Sequence, residues 1–257
     1  INDAPSLHVA DVGLSVDSAV DVAKEAADMI LLQQDLHVLH AAILEGRRTF
    51  GNVMKYIMMA TSSNFGNMFS MAGASLFLPF LPMMPTQILL NNILYDISEM
   101  PIPLDKVDAE EVAVPHVLDL NFIRNFMLVI GPISSLFDFM TFYVMLVMLQ
   151  ANEKLFQTGW FVESLCTQVL VIFIIRTRYN PLRSVANPLL TFTSLLVVTI
   201  AILIPFTPLG IHFGFVPPPA KFYFILGGMV IAYLFIVEIV KQAFYKWWES
   251  RGQLKRR

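Results

Sequence analysis

Six stretches of this chain are apolar over lengths that a helix in water does not need. They run over residues of about 54–77, 86–104, 122–149, 160–178, 188–206 and 221–244. Each approaches or exceeds the ~20 residues that carry a helix across ~30 Å of hydrocarbon. In that medium a backbone N–H or C=O meets no water, so segments this apolar are confined to helices that close their own hydrogen bonds. The composition agrees, with 56% of residues hydrophobic and only 14% charged, which is membrane-protein usage. The linkers at 79–85 and 207–219 are proline-rich, as turns outside a helix are. Pro101 and Pro103 interrupt the second span just after Glu99.

The first two spans carry polar side chains that lipid does not tolerate. One reads Ser62-Ser63-Asn64-Phe65-Gly66-Asn67 and the other Asn91-Asn92-Ile93-Leu94-Tyr95-Asp96-Ile97-Ser98-Glu99. Helical spacing puts Asn64 and Asn67 on one face, and Asn92, Asp96 and Glu99 on one face of the second helix. A carboxylate in the bilayer costs roughly 2.5 to 3.5 kcal/mol on insertion scales, so such groups face a bundle interior and mark ion or proton paths. Amide and carboxylate oxygens without cysteine or histidine suit a hard cation such as Mg2+ or Ca2+ rather than Zn2+ or Cu+. Asn side chains also join membrane helices to each other by hydrogen bonds. Spacing alone leaves both roles open, and Asp96 tips the reading toward an ion site.

Orientation follows from the basic residues. Arg47, Arg48 and Lys55 precede the first span, Lys106 and Arg124 lie between the second and third, and Arg176, Arg178 and Arg183 lie between the fourth and fifth. A basic tail from Lys241 to Arg257 follows the sixth, and only Lys154 and Lys221 fall on the opposite side. Both ends are therefore expected in the cytoplasm. The segregated charge, at a net of −3, gives no reason to invoke a nucleic-acid partner.

Residues 1–48 have soluble composition. Residues 12–16 and 29–32 read as short strands, a helix capped by Ser18 is expected to run to about Asp28, and Asp35 caps the next helix. Strand, helix, strand, helix is the pattern of a parallel α/β sheet, but two strands do not make a stable domain, so this is expected to be the end of a larger one. From Leu36 the helical pattern passes without proline into the first apolar run. One helix is therefore expected to leave the soluble part and enter the membrane, with Gly66 permitting a bend or a close approach. No signal peptide is expected, because no basic segment followed by an apolar run opens the chain.

The remaining polar residues read as structural. Asp138 and Glu163, each inside a span, are expected to make tertiary hydrogen bonds in the bundle. The methionines sit among leucines and phenylalanines as flexible packing, the lone Cys166 excludes an intrachain disulfide, and the scattered histidines suggest no metal. Tyr245, Trp247 and Trp248 fit an interfacial aromatic belt.

Several motifs resemble one family. Asn2-Asp3-Ala4-Pro5, Ala10-Asp11-Val12-Gly13 and Ala23-Lys24-Glu25-Ala26-Ala27-Asp28 look like the end of the phosphorylation domain of P-type ATPases, and Glu45-Gly46-Arg47-Arg48-Thr49-Phe50-Gly51-Asn52 resembles their stalk. The runs 62–67 and 91–98, with Gln157-Thr158-Gly159-Trp160-Phe161, are most similar to the bacterial magnesium-translocating branch. The resemblance implies a Rossmann-like, HAD-type remnant over residues 1–48 and a six-helix membrane domain over 49–257, equivalent to the family's fifth to tenth membrane helices. It implies an ATP-driven pump in the bacterial plasma membrane that imports Mg2+, with Asn64, Asn67, Asn92 and Asp96 as cation ligands. Glu99, one turn nearer the cytoplasm, becomes a gate or exit ligand. Asn2 and Asp3 would line the Mg2+ and phosphate pocket, with Mg2+ accompanying ATP. The phosphorylated aspartate and the nucleotide domain would be supplied by other parts of the protein. Asn67 and Tyr95 stand where the muscle calcium pump has glutamate and threonine, which argues against two calcium ions. The alternatives are transport of Ca2+ or another divalent cation, a passive cation channel or carrier, and a membrane-interaction fragment.

Overall fold

The structure is a computed structural model that describes residues 2–33 and 35–255. It is mainly helical and divides into two units, residues 1–50 and 51–257.

In the first unit, α1 (Ala4–Val9) precedes β1 (Leu14–Val16), α2 (Asp21–Glu25) and β2 (Met29–Leu31). The two strands are parallel, with Ser15 opposite Ile30. Gly13 sets their start: its N–H donates to Asp28 Oδ2 at 2.7 Å and its carbonyl accepts from Met29 at 3.1 Å. A Cβ on Gly13 would stand 2.6 Å from the Leu7 carbonyl oxygen, so only glycine fits. The α2 helix is shorter than the sequence pattern predicts. It begins at Asp21 rather than at a Ser18 cap, because residues 16–19 close a turn through Ala19 N–H to Val16 O at 3.0 Å. Met29 and Ile30 stay exposed at 47% and 42%, so two strands bury too little apolar surface to form a core. A parallel pair is what these residues establish, not a complete α/β fold.

Helix α3 (Leu36–Ala74) is continuous over 39 residues, about 58 Å at 1.5 Å per residue. The absence of proline allows this. Next come α4 (Pro85–Glu99), a 3-10 turn over Ile102–Leu104, and the short α5 (Ala109–Ala113). Helix α6 (Leu120–Tyr143) runs into a π turn, and α7 (Glu153–Leu170) continues almost directly into α8 (Ile172–Ile175). The chain closes with α9 (Pro188–Leu203), α10 (Pro208–His212) and α11 (Ala220–Lys255). Asp119, Asn152 and Asn187 cap α6, α7 and α9 by accepting backbone N–H groups of the first turn.

Among the described residues four helical segments are long and apolar enough to cross a membrane: Leu120–Met148, Glu153–Ile175, Pro188–Phe206 and Ala220–Arg251. They match the last four of the six expected spans. The first two fall short for a physical reason. Helix α4 has 15 residues, below the ~20 needed, because Pro101 and Pro103 force a 3-10 turn, and both α3 and α4 carry the polar stripes that lower their hydropathy.

Helix α7 is the centre of the second unit. Its apolar window is 83% buried, against 28% for that of α11, and Phe156, Trp160, Phe161, Leu165 and Val169 are essentially inaccessible. Helices α3 and α6 meet through glycines. Ser135 Oγ donates to the Gly66 carbonyl at 2.9 Å, and a Cβ on Gly66 would lie 3.0 Å from the Gly131 carbonyl oxygen. A Cβ on Gly131 would lie 2.6 Å from the Phe65 ring. Gly66 thus serves close approach. Gly131→Val is expected to lower stability by about 1–3 kcal/mol through overpacking, read as a lower thermal unfolding midpoint, whereas Gly228→Ala, in open space, leaves the midpoint unchanged.

Candidate functional site

The two polar stripes are joined by a hydrogen bond from Tyr95 Oη to Ser63 Oγ, at 3.1 Å. This contact sets α4 beside α3 and sorts the polar residues into inward and outward sets. Ser62, Ser63, Asn91, Tyr95, Ser98 and Glu99 are buried, Asn67 is half-buried, and Asn64, Asn92 and Asp96 are exposed. The predicted ligands therefore do not form one enclosed cage. Asn64, Asn92 and Asp96 present their side-chain oxygens on an accessible surface, and no group of three or more acidic, histidine or cysteine side chains that could hold a metal occurs among the described residues.

Asn67 faces a partner that sequence reasoning missed. Its Oδ1 accepts from Gln168 Nε2 at 3.2 Å and from Ser164 Oγ at 3.4 Å, both on α7, and Gln168 also donates to Ser164. Amide and hydroxyl groups spaced i, i+4 inside an apolar span are the signal that would have found them. Glu99 is 3% exposed, and neither of its oxygens meets a donor among the described residues. The single hydroxyl hydrogen of the neighbouring Tyr95 is already directed at Ser63. A carboxyl without donors in such a place needs a proton, a cation or water to offset its desolvation.

Just beyond α4 lies the densest polar contact of the unit. The Asp105 carboxylate is fully enclosed and accepts from Lys55 Nζ at 2.8 Å, Arg176 Nε at 2.8 Å, Arg176 Nη2 at 3.2 Å and the Asn187 N–H at 2.9 Å. Lys55 also donates to the Lys106 carbonyl at 2.7 Å, and Asn52 Nδ2 to the carbonyls of Pro103 and Asp105. One side chain thus ties α3, the segment after α4, the end of α8 and the start of α9. Burial pushes its carboxyl pKa up, but hydrogen bonds from Arg176 and Lys55 outweigh that and hold it below the usual aspartate range. Lys241 of α11 plays a related part, donating to the carbonyls of Ile174 and Thr177 at 2.9 Å and pairing with Glu238 at 2.7 Å. Sequence reasoning saw Lys55, Arg176 and Lys241 only as flanking positive charge.

In the first unit, Asn2 and Asp3 are exposed. Asp3 begins α1 through its carbonyl, which accepts from Leu7 N–H at 2.9 Å, and its side chain makes no cap. One carboxylate and one amide fall short of the six oxygens that Mg2+ takes. These two residues could supply part of such a site and do not complete one.

The chain matches the family described as Cation transporting ATPase, C-terminus, over residues 80–243. It is 45% identical over 251 residues, 96% of its length, to the protein of Salmonella typhimurium called Magnesium-transporting ATPase, P-type 1, and covers 28% of that protein. The relative of the same name from Escherichia coli is 45% identical over 246 residues, covering 94% of this chain and 27% of its own. A Calcium-transporting ATPase of Bacillus subtilis is 35% identical over 112 residues, 43% of this chain and 13% of its own. The chain therefore belongs to the cation-transporting ATPases. It spans a little over a quarter of the length of the magnesium-transporting relatives it matches.

Removing the Asp105 carboxylate leaves Lys55 and Arg176 as uncompensated buried charge, so Asp105→Ala is expected to cost about 3–5 kcal/mol. The pH dependence has a definite sign. Because folding depresses this pKa, the stabilisation is fully present above the ordinary aspartate value of 3.8 and is lost as pH falls through the lower folded value. Denaturant unfolding of wild type and Asp105→Ala from pH 7 downward should show the difference between them shrinking only in strong acid.

Proposed function

We propose that this chain is the C-terminal part of an ATP-driven P-type pump that moves Mg2+ across the bacterial plasma membrane into the cytoplasm. The observation that carries the reading is the match to magnesium-transporting ATPases over 96% of the chain, joined to an oxygen-only set of side chains on α3 and α4. In this reading the polar lengths of α3 and α4 also cross the bilayer, giving six membrane helices in all. The first unit is then the end of a HAD-type phosphorylation domain, and both ends of the chain face the cytoplasm.

The transported ion is the substrate. Asp96 supplies the charge, while Asn64, Asn67 and Asn92 supply neutral oxygens at the stripe. Mg2+ is small and sheds water reluctantly, so few protein ligands and one carboxylate suit an ion that keeps part of its hydration. Glu99, nearer the cytoplasmic turn, serves as the exit ligand, which fits its lack of any donor among the described residues. Asn67 shares its oxygen with Gln168 and Ser164, so ligation there means exchanging a protein donor for the cation. Helix α3 carries both the stalk sequence and Asn64 and Asn67, so a tilt of this one helix on phosphorylation moves two ligands relative to Asn92 and Asp96. Asn2 and Asp3 contribute oxygens to the Mg2+ and phosphate pocket, where a bound Mg2+ neutralises charge on the transferred phosphoryl group. ATP itself is bound by domains beyond these residues.

The partial match to a calcium-transporting ATPase makes Ca2+ the second candidate ion. The test is cation-stimulated ATPase of the full-length protein in lipid, titrated with Mg2+ beyond that bound to ATP, and with Ca2+. Wild type should respond to Mg2+, and Asp96→Asn should raise the half-maximal concentration at least about tenfold, equivalent to ~1.4 kcal/mol. Stimulation by Ca2+ alone, or an unaltered response in Asp96→Asn, would reject the ion or the site respectively.

A further inference from the structure

One pair of carboxyls lies inside the bundle away from the two stripes. Asp138 on α6 and Glu163 on α7 are each 1% exposed. Both oxygens of Asp138 are engaged, Oδ2 by Ser70 Oγ of α3 at 2.6 Å and Oδ1 by Trp160 Nε1 of α7 at 2.7 Å. Glu163 follows Trp160 by three residues, on the same face of α7, and its carboxyl is in hydrogen-bonding contact with that of Asp138. Neither Glu163 oxygen meets a donor among the described residues. Cys166 of α7 and Tyr233 of α11 lie close enough to feel the pair. Among the described residues no ion pair joins either carboxyl to a lysine or arginine.

Two ionised carboxylates in contact are acceptor against acceptor, with no hydrogen between them to bond. Each buried charge also carries a desolvation penalty. A single hydrogen removes both difficulties, since the charge falls from two to one and the contact becomes an O–H···O⁻ bond, among the stronger kinds. A metal ion is the other way to neutralise such a pair. Here both Asp138 oxygens already accept from a hydroxyl and an indole, which leaves them turned away from a shared cation.

We infer that Asp138 and Glu163 form a proton-binding site in the membrane interior, with one proton carried on Glu163 and donated to Asp138. Asp138 has two donors that favour its ionised form and Glu163 has none, which fixes the carrier. The completed chain, from Ser70 and Trp160 through Asp138 to Glu163, ties α3, α6 and α7 together. It also backs the cation stripe, because Ser70 lies three residues beyond Asn67 and Glu163 adjoins Ser164, which donates to Asn67. The pair is thus a positioning element held by a proton, whichever cation the pump carries.

The experiment is infrared spectroscopy of the full-length protein in lipid at neutral pH, comparing wild type with Glu163→Gln. The carbonyl stretch of a protonated carboxyl should be present in wild type, persist when Mg2+ is added, and lose one carboxyl's intensity in the variant. Thermal unfolding supplies the second readout. Glu163→Gln, whose amide still donates to Asp138, should match wild type, and Glu163→Leu, which cannot donate, should unfold a few degrees lower. A wild-type spectrum without the band, a band undiminished in Glu163→Gln, or a Gln variant as unstable as the Leu variant would overturn the proposal.

Discussion

Polar groups enclosed among apolar helices have only one another for partners, and the second unit is arranged around that constraint. Its most buried helix, α7, is also the one that presents Gln157, Trp160, Glu163, Ser164 and Gln168 to its neighbours. Four of them find a specific group on another element: Gln157 the Leu81 carbonyl, Trp160 the Asp138 carboxyl, and Ser164 and Gln168 the Asn67 amide. Apolar side chains of α7 then fill the space between these contacts. The same constraint explains Asp105, where two cations and a backbone N–H converge on a carboxylate with no access to solvent. Leaving any of the three charges alone there would cost more than the pair contacts return.

The elements were legible in the sequence where local chemistry decides them. An unbroken α3 follows from a helical pattern without proline, and the early end of α4 from Pro101 and Pro103. The start of α7 was expected near residue 160 and lies at Glu153, where the Asn152 side chain caps the helix. Ser18 misled because a turn closing on Val16 displaced the expected cap. Contacts that join distant segments were not legible. Arg176 reaches Asp105 across 71 residues and Gln168 reaches Asn67 across 101, and no spacing rule reports such pairings. Asp138 was read as a hydrogen-bonded side chain and is one; Glu163, given the same reading, faces the Asp138 carboxyl and has no donor among the described residues.

The candidate site shows the same division. The oxygen-bearing residues and their helices could be named from sequence, because amides and a carboxylate inside apolar runs stand out, although spacing left helix contact and ion ligation both open. Their sorting into exposed Asn64, Asn92 and Asp96 and buried Glu99 could not, since it depends on how Tyr95 and Ser63 set α4 against α3.

The central claim concerns which ion moves and in which direction. The most direct measurement is ATP-dependent Mg2+ movement in vesicles holding the full-length protein with its nucleotide-binding side outward, followed with a Mg2+-sensitive dye outside. The account predicts Mg2+ released on the side where ATP is hydrolysed, with no movement when ATP is omitted. Movement without ATP, or ATP-driven movement of Ca2+ with none of Mg2+, would contradict it.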